Sequence, residues 1–147
     1  LSGTRALTNL QMACPDCHTL NRVPEEKLGQ GRCGRCKAAL FHCKPINLAE
    51  AHFAQHVRAE LPLVVDFWAQ WCAPCKMFAP VFEQATTELE PRVQLAKVDT
   101  EQAQQLAAQY GIRSIPTLAL FRQGRELDRV SGALPKEQFL QWVRERI

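Results

Sequence analysis

The chain has 147 residues, 46% of them hydrophobic, and a formal net charge of +3. That length suits one ordinary domain, or a small domain beside a compact one. So slight a cation excess does not by itself argue for nucleic acid or an anionic membrane, and no run approaches the ~18 apolar residues that span a bilayer.

The opening stretch, LSGTRALTNLQM, holds no continuous apolar h-region, so no retained signal peptide is expected. There are seven cysteines. Six form three C-x₂-C pairs, Cys14/Cys17, Cys33/Cys36 and Cys72/Cys75, and Cys43 is left over. Paired spacings with an odd remainder fit metal and redox chemistry in a reducing compartment, here the cytoplasm, better than a secreted disulfide framework.

The first two pairs, CPDC and CGRC, are separated by fifteen residues. This is the ligand spacing of a structural zinc site, four thiolates filling a tetrahedron with no open position. A segment of roughly 40 residues cannot stabilise itself by core burial alone, and metal binding supplies folding free energy. Iron in the same ligand set and a pair of disulfides stay open as alternatives. His18 follows Cys17 and reads as a surface residue, and His42, His52 and His56 show no ligand spacing. Cys43 reads as an inert or partly buried thiol, with a regulatory or intermolecular thiol as the alternative.

The chain changes character near Pro45, which divides an N-terminal extension (1–44) from a second domain (45–147). In the second, AEAHFAQHVRAE reads as a helix with Phe53 and Val57 on one face. LPLVVDFWA is a strand covered on both faces. CAPCKMFAPVFEQATTELE is a helix with Pro74 in its first turn, where no donor is needed, and Pro80 as a kink. VQLAKVD is a strand. TEQAQQLAAQYG is a helix with Thr100 as cap and Gly111 as stop. TLALFRQGRELDRVSG is a hairpin turning at Gln123-Gly124, and PKEQFLQWVRERI closes the chain as a helix. The order β-α-β-α-β-β-α predicts an α/β mixed sheet with helices on both faces.

The third pair has no second pair or His nearby to complete a metal site. It lies where a buried strand meets a helix, whose free N–H groups and dipole stabilise a thiolate. Cys72, the first and the more exposed, is expected to be the nucleophile, and Cys75, one turn on, the resolving thiol. Asp66 sits in the middle of an apolar strand, so burial should raise its pKa.

DFWAQWCAPCKMFAP, YGIRSIPTLALF and SGALPKEQF together resemble the thioredoxin family over about the last hundred residues. The resemblance implies a thioredoxin fold and a protein disulfide reductase that carries electrons to reductive enzymes. It implies that Cys72 attacks the substrate disulfide and that Cys75 releases the product. Trp71 would shape the contact surface, Pro116 would be a cis-proline facing the pair, Ile115 would offer backbone groups to a substrate strand, and Gly132 would admit it. Asp66 would lie behind Cys75 and exchange its proton, with Lys97 near that acid. Ala73 stands where the family commonly has Gly. Alanine favours helix by roughly 1 kcal/mol, so the Ala73-Pro74 dipeptide should tune the redox poise. The extension, with NRVP after its first pair, resembles the zinc ribbon of the bacterial thioredoxin-2 branch. The family further implies recharging by an NADPH-dependent flavin reductase, with no bound organic cofactor. The rival readings are a zinc-ribbon binding module or a redox-switched chaperone using the second domain as scaffold. Arg22, Arg32, Arg35 and Lys37 are basic but lack interleaved aromatics, so nucleic acid is not expected.

Overall fold

Seven strands and four α-helices form in the computed structural model, which describes residues 8–147. The signal-peptide reading of the opening stretch thus falls largely outside the described residues. Among these residues, no helix is long and apolar enough to cross a membrane.

The N-terminal extension builds a hairpin of β1 (Asn9–Ala13) and β2 (Leu20–Pro24), followed by a 3₁₀ turn at Glu25–Gln30. These strands were not anticipated. Each has five residues, and β1 ends with Met12 and Ala13 both buried, so no clean alternation marks it. Its small core of Met12, Val23, Leu28 and Leu40 is completed by Ala59 and Leu61 from outside the extension. The backbone is stitched across the same place. Glu60 and Leu61 N–H both donate to the Gln11 carbonyl, at 2.9 and 3.3 Å, and Gln11 N–H donates to Glu60 Oε1 at 2.8 Å.

The remaining elements are β3 (Ile46–Asn47), α1 (Phe53–Val57), β4 (Leu63–Trp68), α2 (Ala73–Leu89), β5 (Gln94–Asp99), α3 (Gln104–Gln109), β6 (Thr117–Arg122), β7 (Arg125–Ser131) and α4 (Lys136–Arg144). The sheet order is β3-β5-β4-β6-β7, with β3, β5 and β4 parallel and β6 and β7 antiparallel. This is the expected mixed α/β sheet, extended by the two-residue edge strand β3.

Period-two alternation along β4 assigns the two cores. Leu63, Val65 and Phe67 join Phe53 and Leu106 on the face covered by α1 and α3. Val64 joins Phe78, Phe82 and Phe139 on the face covered by α2 and α4. Asp66, two residues past Val64, therefore faces the α2 side. The turn between β6 and β7 has Gln123 at φ 53° and Gly124 at φ 81°, the two positive angles of a tight hairpin.

Two local expectations are corrected. Thr100 does not cap α3, which starts at Gln104 with Ala103 before it. Thr100 is instead tied back to β4, its N–H and its hydroxyl both donating to the Trp68 carbonyl at 2.9 and 3.1 Å. Asp99 Oδ1 holds the intervening turn by accepting from Glu101 N–H at 2.9 Å. The helix expected over residues 49–60 is shorter, a 3₁₀ turn at Glu50–His52 leading into α1. Gly111 does end α3, at φ 60°.

Candidate active site and metal centre

β4 delivers the chain to the start of α2, and Cys72 is the residue that caps this helix. Its Sγ accepts from Cys75 N–H at 3.2 Å, and Pro74 occupies a first-turn position where no donor is lost. A sulfur so placed meets free N–H groups and the positive end of a 17-residue helix, which together favour the thiolate. Cys72 and Cys75 are joined as a disulfide, with Cα atoms 5.2 Å apart. In this oxidised form the expected contrast in exposure is small, since both cysteines are buried. The exposed rim is made by Trp71, Ala73, Pro74 and Met77.

The Ile115–Pro116 peptide is cis, and the Ile115 carbonyl lies 3.7 Å from Cys72 Sγ. Ile115 packs with Ala69, Cys72, Cys75 and Trp68 around the sulfurs. Gly132 N–H donates to the Pro116 carbonyl at 2.8 Å. At φ 106°, Gly132 has a conformational reason to be glycine, and the space beside its Cα is open. Trp71 stays 69% exposed, yet its Nε1–H donates to Glu101 Oε1 at 2.8 Å, which fixes the ring beside Cys72.

Asp66 is fully buried, and both its carboxylate oxygens lack a hydrogen-bond partner. Burial pushes its pKa up to about 7, with the Lys97 charge pulling the other way. Lys97 is the register partner of Asp66 on β5, and its Nζ sits 4.5 Å from the centre of the Trp68 ring. The acid thus lies on the α2 side of the sheet and, among the described residues, has no ion-pair partner.

The four cysteines of the extension converge. Cys14, Cys17, Cys33 and Cys36 place their sulfurs within 4.8 Å of one another, with Cys14–Cys36 at 3.6 Å and Cys17–Cys33 at 3.5 Å. Zinc–sulfur bonds of about 2.3 Å at tetrahedral angles put sulfurs about 3.8 Å apart, so the set fits such an ion. Each knuckle turns its amides onto its first sulfur. Asp16 and Cys17 N–H donate to Cys14, and Arg35 and Cys36 N–H donate to Cys33. Asn21 adds its Nδ2–H to Cys33 Sγ at 3.5 Å and accepts from Gly34 N–H at 2.8 Å. These donors lower the Cys33 pKa to about 6, the Cys36 N–H foremost, while burial pushes Cys14 up to about 12. Three of the basic side chains brace this turn. Arg32 donates to the Lys37 carbonyl, Arg35 to Thr19 Oγ1 and Lys37 to the Gly34 carbonyl.

His18 is not a surface residue. It is half-buried, stacks on His52 with ring centres 3.8 Å apart, and lies 2.9 Å through Nδ1 from Nε2 of the fully buried His56. Cys43 is exposed, its N–H donating to Glu90 Oε1. Glu101, Asn21 and the histidine contacts were not found from sequence. Only their partners across 12 to 38 residues give them meaning.

A disulfide-linked cysteine pair at a helix start, beside a cis-proline loop and with a buried acid on the strand that leads into that helix, defines a thiol–disulfide oxidoreductase. Comparison with known proteins agrees. The Thioredoxin family model matches residues 44–145, and the model described as Thioredoxin 2, N-terminal, matches residues 13–38. Thioredoxin C-3 of Corynebacterium nephridii is 43% identical over 138 residues, covering 92% of this chain and 94% of that one. The thioredoxin of Synechocystis sp. is 47% identical over 91 residues, 61% of this chain and 85% of that one. In structure, the N21Q mutant thioredoxin from Halobacterium salinarum superposes with a TM-score of 0.65 at 27% identity, over 71% of this chain and 92% of that one. The chain belongs to the thioredoxin family and carries an N-terminal zinc-ribbon segment of the thioredoxin 2 type. It is a protein disulfide reductase acting on disulfide-containing protein substrates.

Proposed function

We propose that Cys72 is the attacking thiolate and Cys75 the resolving thiol. The observation that carries this is the Cys75 N–H directed at Cys72 Sγ on the cap of α2. Cys72 sulfur attacks one sulfur of the substrate disulfide, and the other leaves as a thiolate and takes a proton. Cys75, deprotonated with Asp66 as acceptor, then attacks Cys72 Sγ and frees the second substrate thiol. Two electrons and two protons pass to the substrate, and the Cys72–Cys75 disulfide remains. Trp71 and the open space at Gly132 flank the docking groove, and the backbone at Ile115 pairs with the substrate strand beside Pro116. Ala73 and Pro74 at the helix start tune the potential, and Lys97 moderates Asp66. A flavin reductase drawing on NADPH regenerates the dithiol, with no organic cofactor bound here. After reduction, limiting iodoacetamide at pH 7 should label Cys72 first, read by peptide mass. Labelling of Cys75 ahead of Cys72 would remove the assignment.

The chain divides at residues 44 and 45, and the extension holds one structural zinc on Cys14, Cys17, Cys33 and Cys36. Bound there, the ion supplies cross-linking and folding free energy. The free thiol at Cys43 and the four clustered thiols support a reducing, cytoplasmic setting. Residues 45–147 contain both sheet-face cores whole. Removing residues 1–44 is therefore expected to abolish metal binding and preserve disulfide reduction within about threefold, since effects at separate sites are nearly independent. It should also lower the unfolding midpoint, because Ala59, Leu61 and Gln94 lose their cover. Metal analysis, insulin reduction and urea unfolding of the truncated chain check all three.

A further inference from the structure

We infer that His56 and Gln94 are positioning residues for the first cysteine knuckle, which they clamp from the thioredoxin domain on both sides of Cys14 and Cys17. This rests on the reading that the four cysteines hold zinc. Gln94 opens β5 and is buried, and His56 on α1 is fully buried. Gln94 Nε2–H donates to the Ala13 carbonyl at 3.3 Å, and Gln94 Oε1 lies 3.2 Å from His56 Nδ1. His56 Nε2 lies 2.9 Å from His18 Nδ1.

The carbonyl at one end orients the whole series. A carbonyl only accepts, so the Gln94 amide must turn its NH₂ to Ala13 and its oxygen to His56. His56 must then carry its proton on Nδ1 and accept at Nε2 from His18 Nδ1–H. Burial keeps His56 neutral, its pKa pulled down to about 4, which suits this single arrangement. His52 stacks on His18 from the side, with rings 9° from parallel.

Ala13 immediately precedes Cys14, and His18 immediately follows Cys17. The two ends of the series thus hold the two ends of the knuckle. The second knuckle has different support. Among the described residues, its hydrogen bonds run to Thr19, Asn21, the sulfurs of Cys14 and Cys17 and its own turn, all within the extension. One half-site is pinned to the sheet and the other is not. Pinning a half-site preorganises its thiolates, so its loss should act on metal retention first.

The test uses the full-length, zinc-loaded chain. Zinc release into excess 4-(2-pyridylazo)resorcinol is followed by absorbance for the wild type, His56→Leu and His56→Gln. Glutamine keeps a donor and an acceptor at similar reach, and leucine keeps only bulk. His56→Leu is expected to release zinc about 10-fold faster, His56→Gln to stay near wild type, and both to reduce insulin at the wild-type rate. Should His56→Leu not fold, Gln94→Met, which at similar volume removes the contacts to Ala13 and His56, decides by the same release rate. Release at the wild-type rate from His56→Leu or Gln94→Met, or His56→Gln no slower than His56→Leu, overturns the inference. A wild-type chain that takes up no zinc instead overturns the metal reading on which it rests.

Discussion

Cys75→Ser is expected to turn the catalyst into a trap. Cys72 would still attack a substrate disulfide, because its cap position and the N–H groups around it depend on backbone. The mixed disulfide would then have no internal exit, since serine oxygen does not displace sulfur. Turnover should fall by about 10³-fold or more, the scale on which a unit of covalent catalysis fails when one member is lost. Covalent adducts should accumulate, run as higher-mass species on a non-reducing gel, and vanish with dithiothreitol. Cys72→Ser should lose turnover equally and capture nothing. Capture by Cys72→Ser and none by Cys75→Ser would reverse the two roles.

Asp66→Ala should stabilise the fold and slow the enzyme in one substitution. The carboxyl has no partner for either oxygen, and burial raises its pKa from 3.8 to about 7. The folded state therefore binds this proton more tightly than the unfolded chain does. Below about pH 4 both states are protonated and the group costs nothing. As pH rises from there through 7 the wild type loses stability, by about 4 kcal/mol once the carboxylate is charged. Filling the site with alanine removes that loss and introduces a small cavity costing about 1–3 kcal/mol. The net gain for Asp66→Ala at pH 8 is about 1–3 kcal/mol, dwindling and changing sign toward pH 4. Turnover should drop about 10²-fold, the lower range for loss of a positioned proton acceptor. Urea unfolding and insulin reduction across pH 4 to 9 measure both. A variant less stable than wild type at pH 8, or equally active, would make Asp66 a structural acid only.

Much of the dithiol site is legible in sequence because its parts are local. The two cysteines, the first-turn proline and the aspartate inside an apolar strand all lie within ten residues. Each breaks a pattern that its neighbours set. The hairpin at Gln123-Gly124 is legible for the same reason. Thr100 misled because a good capping residue before a helical pattern was claimed by the end of β4 instead. The hairpin of the extension escaped because five-residue strands packed against another domain show no alternation. His18, His56 and Gln94 escaped for a different reason, since residues 38 apart in sequence meet only in three dimensions. A weak signal did exist. His56 lies three residues after Phe53 on the buried face of α1, and Gln94 is a polar residue between the apolar Val93 and Leu95 at the start of β5.

The most direct measurement is insulin-disulfide reduction by the full-length chain with dithiothreitol, with zinc counted in the same sample. The wild type is expected to accelerate insulin precipitation well beyond dithiothreitol alone while holding one zinc per chain, and Cys72→Ser to retain the zinc and lose the acceleration. A wild type no faster than dithiothreitol alone, or a Cys72→Ser chain as fast as wild type, would contradict a disulfide reductase working through Cys72 and Cys75.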